Sequence, residues 1–240
     1  MAQARGDFAG GTEVATQALA IHRRLGDAWG VAYSTYSLGH AAVGLSDWKT
    51  AQQLFDESLR AFRDLGDESY VLSTTDILAY VYYKLGDRAR TLALVEDNLR
   101  RAHATRDRRM EATSMGALAL YAVEDGRVED AVSPLVESTQ IWREIGVGGE
   151  FDEVGLNLCS FARVLAVAGR AAAAAQLISA AMSWYDEIGA VPPIYTAELN
   201  EQTLAIIHGD LEEAVFAEAW EQGARMTPGE GVEYALDALD

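Results

Sequence analysis

The sequence predicts an all-α chain, a solenoid of antiparallel helix hairpins stacked on one another. Three observations lead there. A short phrase returns at a fixed interval: Leu25-Gly26-Asp27 reappears forty residues on as Leu65-Gly66-Asp67, and Leu45-Ser46-Asp47 as Leu85-Gly86-Asp87. The segments between the phrases, about 16 to 20 residues each, carry apolar residues at spacings of three and four, the mark of one buried helix face. Strand-like alternation is absent. A repeat this regular means a stack of similar units, and it moves the expected function from catalysis toward binding.

The helices follow in order. In residues 7–25 the apolar face is Phe8, Val14, Ala18, Leu19, Ile21 and Leu25. In residues 47–65 it is Trp48, Ala51, Leu54, Phe55, Leu59, Phe62 and Leu65. Glycine in the closing phrase supplies the left-handed residue that ends a helix, and the Asp after it accepts from the open N–H groups of the next. The phrase erodes but persists at Arg106-Asp107, Asp125-Gly126-Arg127, Ile145-Gly146, Ala168-Gly169-Arg170, Ile188-Gly189 and His208-Gly209-Asp210. The expected helices lie near 10–25, 28–44, 48–65, 68–84, 88–105, 109–124, 128–145, 151–168, 171–188, 193–207 and 210–222. Thr227-Pro228-Gly229-Glu230 reads as a capping box opening a last helix at about 228–239. Pro134 falls inside a helix, where it is expected to kink that helix or move its start. The domain reading is a repeat array over 1–226 and a capping helix over 227–240.

Composition narrows the function classes. Nineteen basic against 37 acidic residues give a net charge of −18, which disfavours nucleic acid and anionic membrane and suits a basic partner. Cys159 is the single cysteine, so no intrachain disulfide can form, and a reducing, cytoplasmic setting is expected. No window approaches a membrane span, and the first residues lack the apolar run of a signal peptide.

Small residues Gly39, Ala79, Ala119 and Ala162 precede their turns by about seven residues, and Ala51, Ala131 and Ala174 follow theirs by about five. With Leu38-Gly39…Asp47-Trp48…Ala51…Phe55 and Leu78-Ala79…Tyr82…Gly86-Asp87, the chain resembles the tetratricopeptide repeat over nearly its whole length. The resemblance implies a right-handed superhelix whose concave side is lined by the first helix of each pair. The forty-residue period exceeds the usual 34, and in this the chain is similar to the sensor region of the bacterial maltose-regulon activator. A narrower resemblance rests on Ala18–Asp27, Phe216–Thr227 and Tyr234-Ala235-Leu236. These segments look like the C-terminal repeats of actinobacterial LuxR-type regulators in which a signal-transduction ATPase precedes the repeats. Gly6-Asp7-Phe8 matches Ser46-Asp47-Trp48, so the chain is expected to open on the second helix of a repeat, as a fragment or from a misplaced start would.

Laid on this chain, the family pattern implies a groove lined by Tyr33, Tyr36, Ser37 and His40, then Ser73, Asp76, Ile77, Tyr80, Tyr83 and Lys84. It continues with Thr113, Leu120 and Glu124, then Cys159 and Arg163. Tyrosines beside a few polar anchors have the composition of interaction hot spots. The alternative is that they cover helix seams with their hydroxyls in water. The positions with which some relatives clamp a peptide carboxylate hold Ser37, Ile77 and Gly44, which speaks against that mode. On this reading Tyr36→Ala or Tyr80→Ala leaves folding intact and weakens ligand binding.

Other clusters carry less. Arg100, Arg101, Arg106, Arg108, Arg109 and His103 read as cations placed at a helix C-terminus rather than a phosphate site. The histidines His22, His40, His103 and His208 have no metal-ligand spacing, and Cys159 reads as a packed or groove-lining thiol and not a nucleophile. Gly146-Val147-Gly148-Gly149 follows a helix and is a loop, not a dinucleotide turn. The expectation is a non-catalytic, cofactor-free binding module, the sensor part of a larger ATPase or transcriptional regulator, or else a free-standing scaffold for a peptide or partner helix. The expected partner is a protein or peptide, with a small-molecule effector as the other candidate and self-association through exposed terminal repeats left open.

Overall fold

The computed structural model describes residues 8–145, 153–192 and 194–238. Among them are twelve helices and no strand. In order they are α1 (Phe8–Leu25), α2 (Ala28–Gly44), α3 (Trp48–Leu65), α4 (Glu68–Lys84), α5 (Arg88–Thr105) and α6 (Arg108–Glu124). Then come α7 (Val128–Glu144), α8 (Glu153–Val167), α9 (Ala171–Glu187), α10 (Ile194–Asp210), α11 (Glu213–Gly223) and α12 (Pro228–Asp237). Through α9 the repeat phrase places every boundary to within two residues. The expected loop Gly146–Gly149 lies outside the described residues.

The turns show why the phrase is periodic. Gly26, Gly66, Gly86, Gly126, Gly169 and Gly189 all have positive φ. The Asp behind the glycine then works on both helices. The Asp67 N–H closes α3 on the Phe62 carbonyl at 3.0 Å, while its Oδ1 accepts from Tyr70 N at 3.1 Å and caps α4. Asp27, Asp47, Asp87 and Asp107 cap the next helix in the same way. Where the phrase has eroded to Arg127 and Arg170, no side chain caps the helix.

Three expectations need correction. Gly209 does not end a helix: α10 runs through it to Asp210, and the break falls at Leu211-Glu212, where Glu212 is extended. Of the two effects expected of Pro134, a moved start is not seen: α7 begins at Val128 and carries Pro134 inside it. On α1, Val14, Ile21 and Leu25 belong to the expected apolar face but are exposed. α1 packs chiefly on α2, and the strip through Ala15 and Leu19 is buried, while the Phe8 side chain lies outside the described residues.

The chain divides into two compact units, Met1–Met110 and Glu111–Asp240. In the first, each of α1 to α5 packs on its neighbour in sequence. Its interior includes Phe55, Phe62, Leu72, Leu78 and Val81. A Cβ at Gly39 would stand 2.7 Å from Phe55 Cε1, so the Phe55 ring fills the space a methyl would need. In the second unit α8 and α9 form the central hairpin, with α10 on α8 and α11 on α9. Leu135, Leu158, Phe161, Leu165, Leu177 and Ile178 make one continuous core there.

The last helix departs from linear order. α12 is opened by the expected capping box, with Thr227 and Glu230 satisfying each other's backbone. It turns back to pack on α7, α8 and α9. Val232, Ala235 and Ala238 join the core beside Leu158, and Arg143 reaches Glu233 at 3.1 Å.

Candidate functional site

The helical period sets the site. Trp29, Tyr33, Tyr36 and His40 recur at three and four residues, so they share one face of α2. The next helix of like position, α4, brings Tyr70 against them. Trp29 and Tyr33 lie nearly parallel, 8° apart with centroids at 5.3 Å. Both meet Tyr70 edge-on, at 86° and 87°. Behind, Phe62 stacks on Tyr70 at 4.6 Å, and Tyr36 packs edge-on against Phe55, Phe62 and Tyr70. Offset and edge-on pairs of this kind stabilise a cluster by about 0.5–1.5 kcal/mol each beyond the area they bury.

The cluster has a wet edge and a dry edge. Trp29 and Tyr33 are each 41% exposed. The Trp29 indole N–H donates to Asp67 Oδ2 at 2.9 Å, so the residue that caps α4 also fixes the rim of the ring. Deeper in, burial raises the Tyr36 phenol far above its ordinary value, with Asp76, Tyr70 and Tyr33 adding to it and Arg109 opposing. Tyr70 is raised by burial, then by Tyr33 and Asp67. His40, edge-on to Tyr36 at 4.5 Å and to Phe55 at 5.3 Å, is lowered by burial to about 4 and is neutral near pH 7.

Two other expected residues of the first unit, Tyr80 and Lys84, meet at a second centre. Tyr80 is buried and meets Trp48 edge-on at 5.9 Å, and the Lys84 ammonium stands 5.2 Å over the same indole. Tyr83 lies beneath the Arg88 guanidinium at 3.9 Å, and Arg90 stands over Tyr82 at 5.2 Å. Ile77 is buried and Ser73 partly so. The structure thus joins Tyr33, Tyr36 and His40, places Asp76 in the electrostatic surroundings of Tyr36, and groups Tyr80 and Lys84 about Trp48. Tyr36 is partly buried and Tyr80 buried, so truncating either also removes packing contacts. The accessible rings are Trp29 and Tyr33.

In the second unit Leu120 packs against the core, and Arg163 pairs with Glu124 at 3.1 Å, both side chains mostly covered. Cys159 is fully buried, its thiol pushed up to about 12 by burial although Asn200 opposes. Cys159 is therefore packed in the interior, and of its two expected places the groove lining is the one it does not take. The basic cluster of α5 is likewise engaged. Arg100 and Arg101 reach Asp97 at 2.8 and 2.9 Å, and Arg101 reaches Glu68 at 3.0 Å. Burial works to raise Asp97, but these guanidiniums outweigh it and hold the carboxyl low.

Trp29, Tyr70 and Asp67 are the members that sequence reasoning missed. Trp29 had a signal, lying four and seven residues before Tyr33 and Tyr36. The bond from Trp29 to Asp67 spans 38 residues and had none. Among the described residues no group of three or more His, Cys, Asp or Glu could hold a metal ion, and no helix is long and apolar enough to cross a membrane. No family model matches the chain, and no curated protein matches it.

Proposed function

We propose that this chain is a non-catalytic binding module of the tetratricopeptide type, which takes a protein or peptide segment on the aromatic face of α2 and α4. One observation carries the reading: Trp29 and Tyr33 stack on each other and meet Tyr70 edge-on, with the Trp29 indole bonded to Asp67, yet each keeps two fifths of its surface in water. Large, pre-ordered aromatic surface loses little side-chain entropy on binding, which is why such residues dominate interfaces. The segment resemblances support a role as the sensor part of a larger signal-transduction ATPase or transcriptional regulator. There a bound partner would shift the packing equilibrium of the repeats and so bias the attached domain.

The test is capture from bacterial lysate by the full chain and by a Trp29→Ala/Tyr33→Ala double variant, with bound peptides and small molecules read by mass spectrometry. A species retained by the parent and lost by the variant supports the reading. Identical capture by the two proteins, both folded by circular dichroism, removes this face from consideration.

A further inference from the structure

We infer that α1 pairs with the α1 of a second copy of this chain, antiparallel and about a two-fold axis, along the strip Val14, Ala18, Ile21 and Leu25. The inference goes beyond the binding reading and does not use the aromatic face of α2 and α4. The first argument is that the strip is apolar and wet. Val14, Ile21 and Leu25 are 65%, 46% and 70% exposed, and Ala18 is half-buried between them. Spacings of four, three and four put the four side chains on one line down the helix. That line runs beside the buried strip through Ala15 and Leu19, so it continues the apolar contact already made between α1 and α2.

The repeat shows what such a strip does elsewhere. One, two, three and four periods after Ala18 stand Ser58, Asn98, Ser138 and Ala181, each at most 1% exposed. Ser58 is bonded there to a carbonyl of α2, and Ser138 to one of α6. The large apolar residues at the Ile21 position, Ile141 and Trp184, are buried too. On α1 the same positions meet water. A contiguous apolar strip that the fold keeps dry wherever a helix lies alongside is a helix-docking surface.

Charge selects the occupant. The unit Met1–Met110 carries 14 basic and 14 acidic residues, whereas Glu111–Asp240 carries 5 and 23. Two copies that meet through α1 avoid the repulsion that contact between their acidic units would bring. One residue earlier along the helix runs a second line, Glu13, Gln17, Ala20 and Arg24, with its acid in the first half and its base in the last turn. Antiparallel pairing sets Val14 of each copy opposite Leu25 of the other and brings Glu13 beside Arg24 twice, while parallel pairing sets like charges together. At 18 residues α1 is about 27 Å long. The contact therefore sits at the small end of specific interfaces, and the dimer is expected to dissociate at about 10–100 µM.

The test is sedimentation equilibrium of the full chain from about 1 to 500 µM, with the mean mass expected to rise from monomer toward dimer. Ile21→Glu, at an exposed site and checked for folding by circular dichroism, should weaken association by about tenfold or more. Glu13→Arg and Arg24→Glu should each weaken it by about fivefold, and the two together should restore it. Direction is read by mild oxidation. Val14→Cys/Leu25→Cys should give covalent dimers that neither single variant gives, and Cys159, fully buried, stays out of the reaction. A parent chain that is monomeric at every concentration overturns the inference whatever the variants do. So does a dimer that a folded Ile21→Glu leaves intact, or cross-linking by the single variants as readily as by the double.

Discussion

Ser138 donates its hydroxyl hydrogen to the carbonyl oxygen of Ala112 at 2.8 Å, across the buried seam between α6 and α7. Donor and acceptor lie 26 residues apart, and eighty residues earlier Ser58 makes the same bond to Ala32 at the same separation, at 3.0 Å. Asn98, one period from each serine, is buried at the corresponding place on α5. The polar pin is therefore part of the repeat, like the turn phrase. A buried hydroxyl needs a partner, and a helix carbonyl has a second lone pair to offer. Ser58→Ala and Ser138→Ala are each expected to cost about 1 kcal/mol, the net value of a buried neutral hydrogen bond. Urea unfolding of each variant measures it, and no change in midpoint would reduce these serines to space-fillers.

Two turns keep the left-handed conformation without glycine: Ser46 has φ 56° and Arg106 has φ 59°, beside 70° at Gly66. For a residue with a Cβ this region costs roughly 1–2 kcal/mol, part of which glycine returns through its freer unfolded chain. Ser46→Gly and Arg106→Gly should each stabilise the protein by about 0.5–1 kcal/mol, and Gly66→Ala should destabilise it by a similar amount. Melting temperatures of the three variants check the sign. A fall on placing glycine at either site would mean that its present side chain holds the turn by some other contact.

The helix map was legible because one short phrase does two jobs at once, and both jobs leave a residue type behind. Gly66 marks an end and Asp67 marks a start, so the pair is readable even without its surroundings. Gly209-Asp210 shows the limit. The same letters occur there, but Leu211 N–H continues the helical bond to the Ile207 carbonyl and the chain extends only at Glu212. The fold-back of α12 onto α7–α9 was hidden for another reason. Val232 and Ala235 announce an apolar stripe but not the surface that receives it. At the candidate site the spacing of Trp29, Tyr33, Tyr36 and His40 was open to reading, whereas the perpendicular Tyr70 and the grip of Asp67 depend on how α4 is laid against α2.

His40 should make stability depend on pH in a definite window. Its ordinary value is 6.5, and burial in the folded protein lowers it to about 4. Between these values the unfolded chain takes up a proton that the folded one refuses. Stability is therefore fully present above about pH 6.5 and falls as the pH drops toward 4. The full difference is on the order of 3 kcal/mol at most, at 1.36 kcal/mol per unit. The capping carboxylates act lower. Asp27 is held down by the Gly30 N–H, and Asp47 by its hydrogen bonds with Thr50, so both lose their contribution only below the ordinary carboxylate value of 3.8. Denaturant titrations at pH 7, 6, 5 and 4.5 should show the slope in the parent and a flatter one in His40→Gln. Equal slopes would place the titrating group elsewhere.

Gly39 and Phe55 form a size-matched pair. The positions one, two and three repeats after Gly39 hold Ala79, Ala119 and Ala162, all buried, and those after Phe55 hold Val95, Leu135 and Ile178. Glycine thus stands in the repeat that holds the ring, and alanine in the repeats that hold a smaller aliphatic side chain at the corresponding position. The geometry gives the reason, since a Cβ at Gly39 would lie 2.7 to 3.0 Å from three atoms of the Phe55 ring. Alanine is the better helix former by about 1 kcal/mol, but overpacking costs typically 1–3 kcal/mol. Gly39→Ala should therefore destabilise the protein by about 1 kcal/mol despite its propensity. Phe55→Leu alone should leave a cavity and cost roughly 1–3 kcal/mol. Combined, the added methyl occupies the vacated space, and the double variant should be more stable than the sum of the singles by about 1 kcal/mol. A double-mutant cycle by urea unfolding measures that coupling. Strict additivity would show that the ring can move aside freely and that the two sizes are not matched.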